Sequence, residues 1–389
     1  MSFDTLPYEI FCLITSHLDE RDLLSLCLVN KKILPFAQTL LFRSVSLTLS
    51  GFWFKEADHE NCIFNMEKWL RDCFFRTLSS LPHLTASISS LGLRLDPALL
   101  DNTPRFQLTI SLLQSTFNLH HLRLEALATA RGSLSSEMVE AIPSSLRSLE
   151  IVLSILDQGG MQRILERLKS LESLDLTQAV AGEGGYPTAE NLLSSRLKHL
   201  QIPRADVEWR PFFHALLLQA ASSLEIYEGP VISVGTLKNV PLPRLQCLRL
   251  TAGLLTIKGG WSRTIYSGSV QAFLRDLRLV LLNAPQLQYL KVRFDYCCGA
   301  NYYETNTINL FEVMPKSIKT IILNGPGLYS AQSLIRFLAS TSASGNIKSL
   351  KMWDALPAAE EVFKQQIEDL CEMRGIDFEW VTWTGRDRD

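Results

Sequence analysis

One short pattern restricts what this chain can fold into more than any other: apolar-x-x-apolar-x-apolar, usually with Leu at the apolar places. It occurs as Ile88-Leu91-Leu93, Leu119-Leu122-Leu124, Leu146-Leu149-Ile151, Leu171-Leu174-Leu176 and Leu197-Leu200-Ile202. A weaker copy, Ala221-Leu224-Ile226, precedes Leu245-Leu248-Leu250, Leu287-Leu290-Val292, Ile318-Ile321-Leu323 and Ile347-Leu350-Met352. Phe42-Val45-Leu47 is a possible earlier copy and Met373-Ile376-Phe378 a degraded last one. From Ile88 to Ala221 the copies start 24 to 31 residues apart. Chance places one such hexad in a chain with 68 leucines among 389 residues, not ten at a steady rhythm.

Intervals of this length resemble those of leucine-rich repeats, in which each repeat supplies a strand and a helix. The segments between hexads carry apolar residues at helical spacing, as in 104–117, 160–169, 211–221, 269–283, 331–340 and 358–373. One such unit cannot bury its apolar face alone, whereas stacked units build a continuous core. The expected fold class is therefore α/β: a curved, irregular leucine-rich-repeat solenoid over 86–389, with inner parallel strands and outer helices. Between the N-terminal module and the repeats, Ile63, Met66, Trp69, Leu70, Phe74 and Leu78 predict a linker helix over 61–81, within a linker and cap spanning 50–85.

Residues 1–49 do not share the rhythm. Leu6-Pro7 opens a helix whose Ile10, Leu13, Ile14 and Leu18 make one stripe. Asp19-Glu20-Arg21-Asp22 breaks it, a second helix carries Leu23, Leu24, Leu26, Leu28 and Val29, and a third follows Asn30-Lys31-Lys32. Three short helices bury little surface by themselves, so the unit docks on the solenoid or offers an apolar side to a partner. Leu6-Pro7-Tyr8-Glu9-Ile10, Ile14, Leu18, Asp22-Leu23-Leu24 and Val29-Asn30-Lys31 resemble the F-box. The following Leu40-Leu41-Phe42-Arg43-Ser44-Val45 is similar to what succeeds the F-box in many fungal members. The resemblance implies a substrate receptor of a Skp–cullin–F-box ubiquitin ligase. Leu6, Pro7, Glu9, Ile10, Ile14, Leu18, Leu23, Leu24 and Val29 would bind the Skp adaptor, and through it a cullin scaffold. The repeats would hold a client protein, and the receptor would supply proximity rather than bond chemistry. A repeat scaffold acting outside any ligase is the alternative.

The chain offers little for catalysis. It has no G-x-S-x-G, P-loop or H-E-x-x-H pattern, and Gly182-Glu183-Gly184-Gly185 runs into Tyr186-Pro187 as a loop. His59, Cys62 and Cys73 are a faint metal motif, but Cys73 falls on the apolar stripe of 63–74. The eight cysteines include no C-x-x-C, so no zinc site or disulfide framework is expected. No enzyme, cofactor or metal is predicted. A net charge of -2 argues against nucleic-acid binding, and no apolar run approaches membrane-span length. Without a basic segment before the first apolar run, the N-terminus does not read as a secretory signal, so an intracellular protein of cytoplasm or nucleus is expected.

Strand side chains alternate. If the second and third hexad residues face the core, the interleaved ones line the concave side: Arg94; His121, Arg123, Glu125; Glu150; Asp175; His199, Gln201; Glu225, Tyr227; Arg249; Tyr289, Lys291, Arg293; Ser349, Lys351, Trp353. Acids (Glu125, Glu150, Asp175, Glu225) gather in the middle and bases (Arg249, Lys291, Arg293, Lys351) toward the C-terminus. The segments 179–187, 257–268 and 295–307 bring Tyr186, Trp261, Tyr266, Tyr296, Tyr302 and Tyr303 after repeat strands. The expected client surface is Arg249, Tyr289, Lys291, Arg293, Lys351 and Trp353, with Trp261 and Tyr302 on the rim and the two arginines foremost for an acidic or phosphorylated segment. A merely solvated face with tolerated insertions is the competing reading.

Overall fold

In this computed structural model the described residues are 8–15, 17–18, 20–29, 31, 33–49, 76–78, 80–95, 104–126, 136–156, 158–181, 196–202, 210–252, 255–257, 260–262, 270–294, 309–325, 328–340, 344–353 and 361–381. The chain forms two compact units, Met1–Leu171 with Gly182–Gly184, and Glu172–Ala181 with Gly185–Asp389.

The first unit opens with three helices, α1 (Tyr8–Thr15), α2 (Glu20–Val29) and α3 (Leu34–Leu41). Pro35 stands in the first turn of α3, where its missing N–H costs nothing. Ile33 and Ala37 are buried against Leu26, Cys27 and Leu40, which ties α2 to α3. Then strands and helices alternate: β1 (Ser44–Leu49), α4 (Pro82–Ser87), β2 (Ser90–Leu95), α5 (Pro104–Ser115), β3 (His121–Ala126), α6 (Ser136–Ala141), β4 (Ser148–Leu156) and α7 (Gln158–Arg167). The four strands are parallel and lie side by side in chain order. Val45 stands opposite Leu91 and Leu47 opposite Leu93, so the earliest hexad is a strand in register with the rest.

The second unit repeats the scheme. Its elements are β5 (Ser173–Ala181), β6 (His199–Gln201), α8 (Arg210–Ala220), β7 (Ile226–Pro230), α9 (Val234–Leu237), β8 (Cys247–Ala252), β9 (Leu255–Ile257) and β10 (Gly260–Ser262). They continue with α10 (Val270–Asn283), β11 (Tyr289–Phe294), β12 (Thr320–Asn324), α11 (Ala331–Ala339), β13 (Ser349–Trp353), α12 (Lys364–Met373) and β14 (Asp377–Val381). Apart from β9 and β10, the strands pair parallel in chain order. Each unit is mixed α/β, with four parallel strands in the first and eight in the second. After β8, β9 and β10 form an antiparallel hairpin, with Trp261 opposite Thr256.

Backbone hydrogen bonds fix the register unit by unit. One carbonyl before most strands accepts two successive N–H groups from the next unit: Arg43 from Ser89 and Ser90, His120 from Arg147 and Ser148, Lys198 from Glu225 and Ile226, Gln288 from Lys319 and Thr320. Side chains preceding the first hexad residue add to this. Ser145 Oγ donates to the Phe117 carbonyl at 3.0 Å, Ser223 Oγ to Leu197 at 2.8 Å and Ser317 Oγ to Leu287 at 2.7 Å. Asn118 Nδ2 donates to Ala86 at 2.8 Å and Asn346 Nδ2 to Lys316 at 2.7 Å. These bonds satisfy turn carbonyls that burial would otherwise strand.

Two hexads differ from the sequence reading. In β7 the core positions are Leu224, Tyr227 and Gly229, not Ala221, Leu224 and Ile226, because Tyr227 stands opposite Leu200 and Leu248. Tyr227 is 0% exposed, so it belongs to the core and not to the outward face. Its ring lies across Gly229: a Cβ there would sit 2.4 Å from the Tyr227 hydroxyl and 2.8 Å from Ile202. One aromatic thus fills the space of two aliphatic side chains. The last copy also shifts. Phe378 and Trp380 stand opposite Leu350 and Met352, while Met373 is 79% exposed. Gly375, at φ +65°, ends α12 in a left-handed turn, with Ile376 N–H donating to the Cys371 carbonyl and Gly375 N–H to that of Glu372.

Candidate functional site

Two surfaces, one in each unit, carry the predicted site residues. In the first unit, α1 exposes an apolar stripe at i, i+3, i+4: Ile10 at 43%, Leu13 at 61% and Ile14 at 38%. On α2 Leu28 is 89% exposed, and on α3 Phe36 is 46% exposed. Leu18 is half-buried. Leu23 is 8% exposed, so its side chain is buried rather than turned to solvent. Leu24 and Val29 lie on α2 and Glu9 on α1, but their side chains are outside the described residues, as are Leu6 and Pro7 altogether. Leu13, which helical spacing placed on the stripe of α1 but not among the adaptor residues, joins the exposed set, as do Leu28 and Phe36, which nothing local marks as outward. Large apolar side chains turned to water on each of the three short helices mark surface fit to be covered by a partner.

Residues 3–48 match the family model described as F-box-like. The N-terminal module is an F-box-like domain. No curated protein matches the chain significantly. F-box domains are adaptor modules, which accords with a protein that recruits others in the manner of a Skp–cullin–F-box substrate adaptor. The predicted linker helix over 61–81 falls mostly outside the described residues; 76–78 and 80 are helical.

In the second unit the strand faces separate cleanly. Leu174, Leu200, Tyr227, Leu248, Leu290, Ile321 and Leu350 are all 0% exposed. The opposite face carries one continuous row in register: Asp175, Gln201, Glu228, Arg249, Lys291, Ile322, Lys351, Glu379. Glu228 takes the place assigned to Glu225, whose carbonyl instead accepts the Gln246 and Cys247 N–H groups at the strand entry. Arg249 donates to Glu228 at 3.2 Å, and its guanidinium lies 5.3 Å from the centroid of the Tyr289 ring. Lys351 pairs with Glu379, and this bond holds its ammonium above its ordinary pKa. Arg293 follows Lys291 two residues on, opposite Asn324. Trp353 ends β13 and Trp261 lies on the β9–β10 hairpin, with side chains outside the described set; Tyr302, Tyr186, Tyr266, Tyr296 and Tyr303 lie outside the described residues. The structure thus brings Arg249, Tyr289, Lys291 and Arg293 onto two adjacent strands, with Lys351 two strands further along the row.

Titratable groups on this face are structural in character. Ser173 Oγ and His199 Nδ1 are 3.3 Å apart. Burial lowers the His199 pKa, helped by Arg249 and opposed by Asp175 and Glu228. Burial raises the Cys247 thiol and the Tyr289 phenol, with Arg249 opposing both. A thiol pushed up is a poor nucleophile. In the first unit His121 Nδ1 meets Ser148 Oγ at 2.9 Å and Arg123 pairs with Glu150 at 2.9 Å. An apolar groove of about 470 Å³ beside Leu78, Leu108, Leu112 and Phe117 contains no titratable group. Among the described residues no cluster of His, Cys, Asp and Glu could hold a metal, and no helix is long and apolar enough to cross a membrane.

Proposed function

We propose that this chain is the substrate-recognition subunit of a Skp–cullin–F-box ubiquitin ligase. Its F-box over 1–49 binds the Skp adaptor and so a cullin scaffold. A linker and cap over 50–85 leads to a leucine-rich-repeat solenoid of fungal type over 86–389, which holds the client. The observation that carries this reading is an F-box-like domain whose helices turn Ile10, Leu13, Ile14 and Leu28 to solvent. Leu6, Pro7, Glu9, Leu18, Leu23, Leu24 and Val29 complete the adaptor site in this reading. The client contacts Arg249, Tyr289, Lys291, Arg293, Lys351 and Trp353, with Trp261 and Tyr302 at the edge. The protein works inside the cell, needs no cofactor and catalyses nothing itself.

The test is capture of purified Skp adaptor by the full chain. Truncating a central apolar contact costs about 2 kcal/mol or more at an interface. Ile10→Ser combined with Leu28→Ser should therefore cut capture at least about thirtyfold, while circular dichroism stays unchanged and melting falls only slightly, because Leu28 is almost fully exposed and Ile10 partly so. Equal capture by the double variant would remove the adaptor role and favour a repeat scaffold acting outside a ligase.

A further inference from the structure

We infer that the outward face of the second unit holds a seat for a single negative charge at Lys291. It is built for a carboxylate side chain on an extended client segment that carries an apolar side chain two residues along. The inference deepens the receptor reading above and rests on it for the word client, but the seat itself is argued from the strand register.

Along the row, charges are matched at both ends. Glu228 and Arg249 pair at 3.2 Å, and Lys351 pairs with Glu379. Between these two pairs stand Lys291 and Ile322, opposite each other on β11 and β12. Among the described residues Lys291 makes no ion pair and no hydrogen bond through its side chain, unlike the other cations of the row. It is also opposite Arg249, one strand spacing of about 4.8 Å away. Like charges directly opposite on one sheet face are destabilising. Arg249 is engaged on two sides, by the Glu228 carboxylate and by the π-face of Tyr289. Among the described residues it is therefore Lys291 that lacks a counter-charge, and the foremost role passes to it from the arginines.

The arithmetic of the row favours one charge over two. A carboxylate on Lys291 completes the alternation Glu228, Arg249, ligand acid, Lys291. A phosphomonoester would bring close to two negative charges to one vacant cation, since Arg249 on one flank is already held by Glu228 and the other flank is the apolar Ile322. Ile322 is half-buried and offers its remaining surface beside Lys291. In an extended segment, side chains on one face recur about every 6.5 Å, somewhat more than one strand spacing. An acid over Lys291 therefore sets the residue two places along above Ile322. Lys is a compact, strongly hydrated point charge, so shielding by the apolar neighbour strengthens the contact.

The experiment uses the full chain and end-capped ten-residue peptides with randomised flanks around four fixed centres: Glu-x-Leu, Gln-x-Leu, Glu-x-Ser and phosphoserine-x-Leu. The expected result is recovery of Glu-x-Leu about fivefold or more above the other three. The preference should vanish in Lys291→Met and in Lys291→Gln, survive in Lys291→Arg, and be untouched by Lys319→Met, which lies off the row. No preference for Glu-x-Leu, a preference for phosphoserine, or a preference kept by the Met and Gln variants overturns the seat. Skp-adaptor capture is measured on the same samples. Lost capture with a retained peptide preference fails the receptor reading alone; retained capture without the preference fails the seat alone.

Discussion

Tyr227 and Gly229 act as one residue split over two positions. The phenol ring, buried and with no well-formed hydrogen bond to its hydroxyl among the described residues, covers the glycine that stands opposite Leu250. Burial pushes that phenol well above its ordinary pKa, with Ser233 pulling the other way. Gly229→Ala should cost about 1–3 kcal/mol by overpacking. In a Tyr227→Leu background the same alanine should be tolerated or stabilising, because the space it needs is then empty; urea unfolding of the four chains measures the coupling. Additive effects would mean the two sites do not share that space. The residue-level clue to this register was present in the sequence. Ser145, Ser223 and Ser317 each precede the first residue of a hexad, and each donates to a carbonyl in the previous unit. Counting apolar residues alone favoured Ala221, since a tyrosine and a glycine do not look like two leucines. The serine before Leu224 marks the true start. Lys291 illustrates the opposite limit: its position on the outward face is readable from alternation, but its lack of a counter-charge among the described residues depends on which neighbours pair across strands.

At the scale of elements, the periodic pieces were the legible ones. Helices expected over 104–117, 211–221, 269–283 and 331–340 appear as Pro104–Ser115, Arg210–Ala220, Val270–Asn283 and Ala331–Ala339. Each has an apolar face repeated often enough to outweigh its ends, and Ser330 caps the last by accepting from the Ser333 N–H. The hairpin of β9 and β10 was not legible, because three-residue strands are too short to show alternation. The last strand was misplaced by two residues, since Gly375 rather than an apolar residue takes the first hexad place. In the candidate adaptor surface, the helices and their order were readable, while exposure was not: Leu23 and Leu28 look alike in sequence and lie at 8% and 89%. The serine bonds between units give an element-scale prediction. Ser223→Ala leaves the Leu197 carbonyl without its hydroxyl donor in a buried turn, and should cost about 1–2 kcal/mol. Thermal unfolding checks it, with the exposed Ser222→Ala expected to be neutral.

For the whole molecule, the arrangement of strands in chain order means that each unit answers mainly to its neighbours. Stability in such arrays is close to a sum of local terms and nearest-neighbour interfaces. Leu290→Ala removes a fully buried side chain from β11 and should cost about 2–5 kcal/mol locally. Limited proteolysis should then open the chain near β11, while capture of Skp adaptor by the N-terminal module continues at full strength. Loss of that capture would show the molecule to be a single cooperative block. The doubly accepting carbonyl before most strands carries a longer consequence. Lys198, Glu225, Gln246, Gln288 and Lys319 each hand the alignment on to the strand that follows. Register is therefore inherited one step at a time, like links in a chain, and the peptide between two links is invisible to it. A lineage can lengthen, shorten or rewrite those intervening stretches, or duplicate a link outright, and vary what the protein recruits without reopening the question of how it folds.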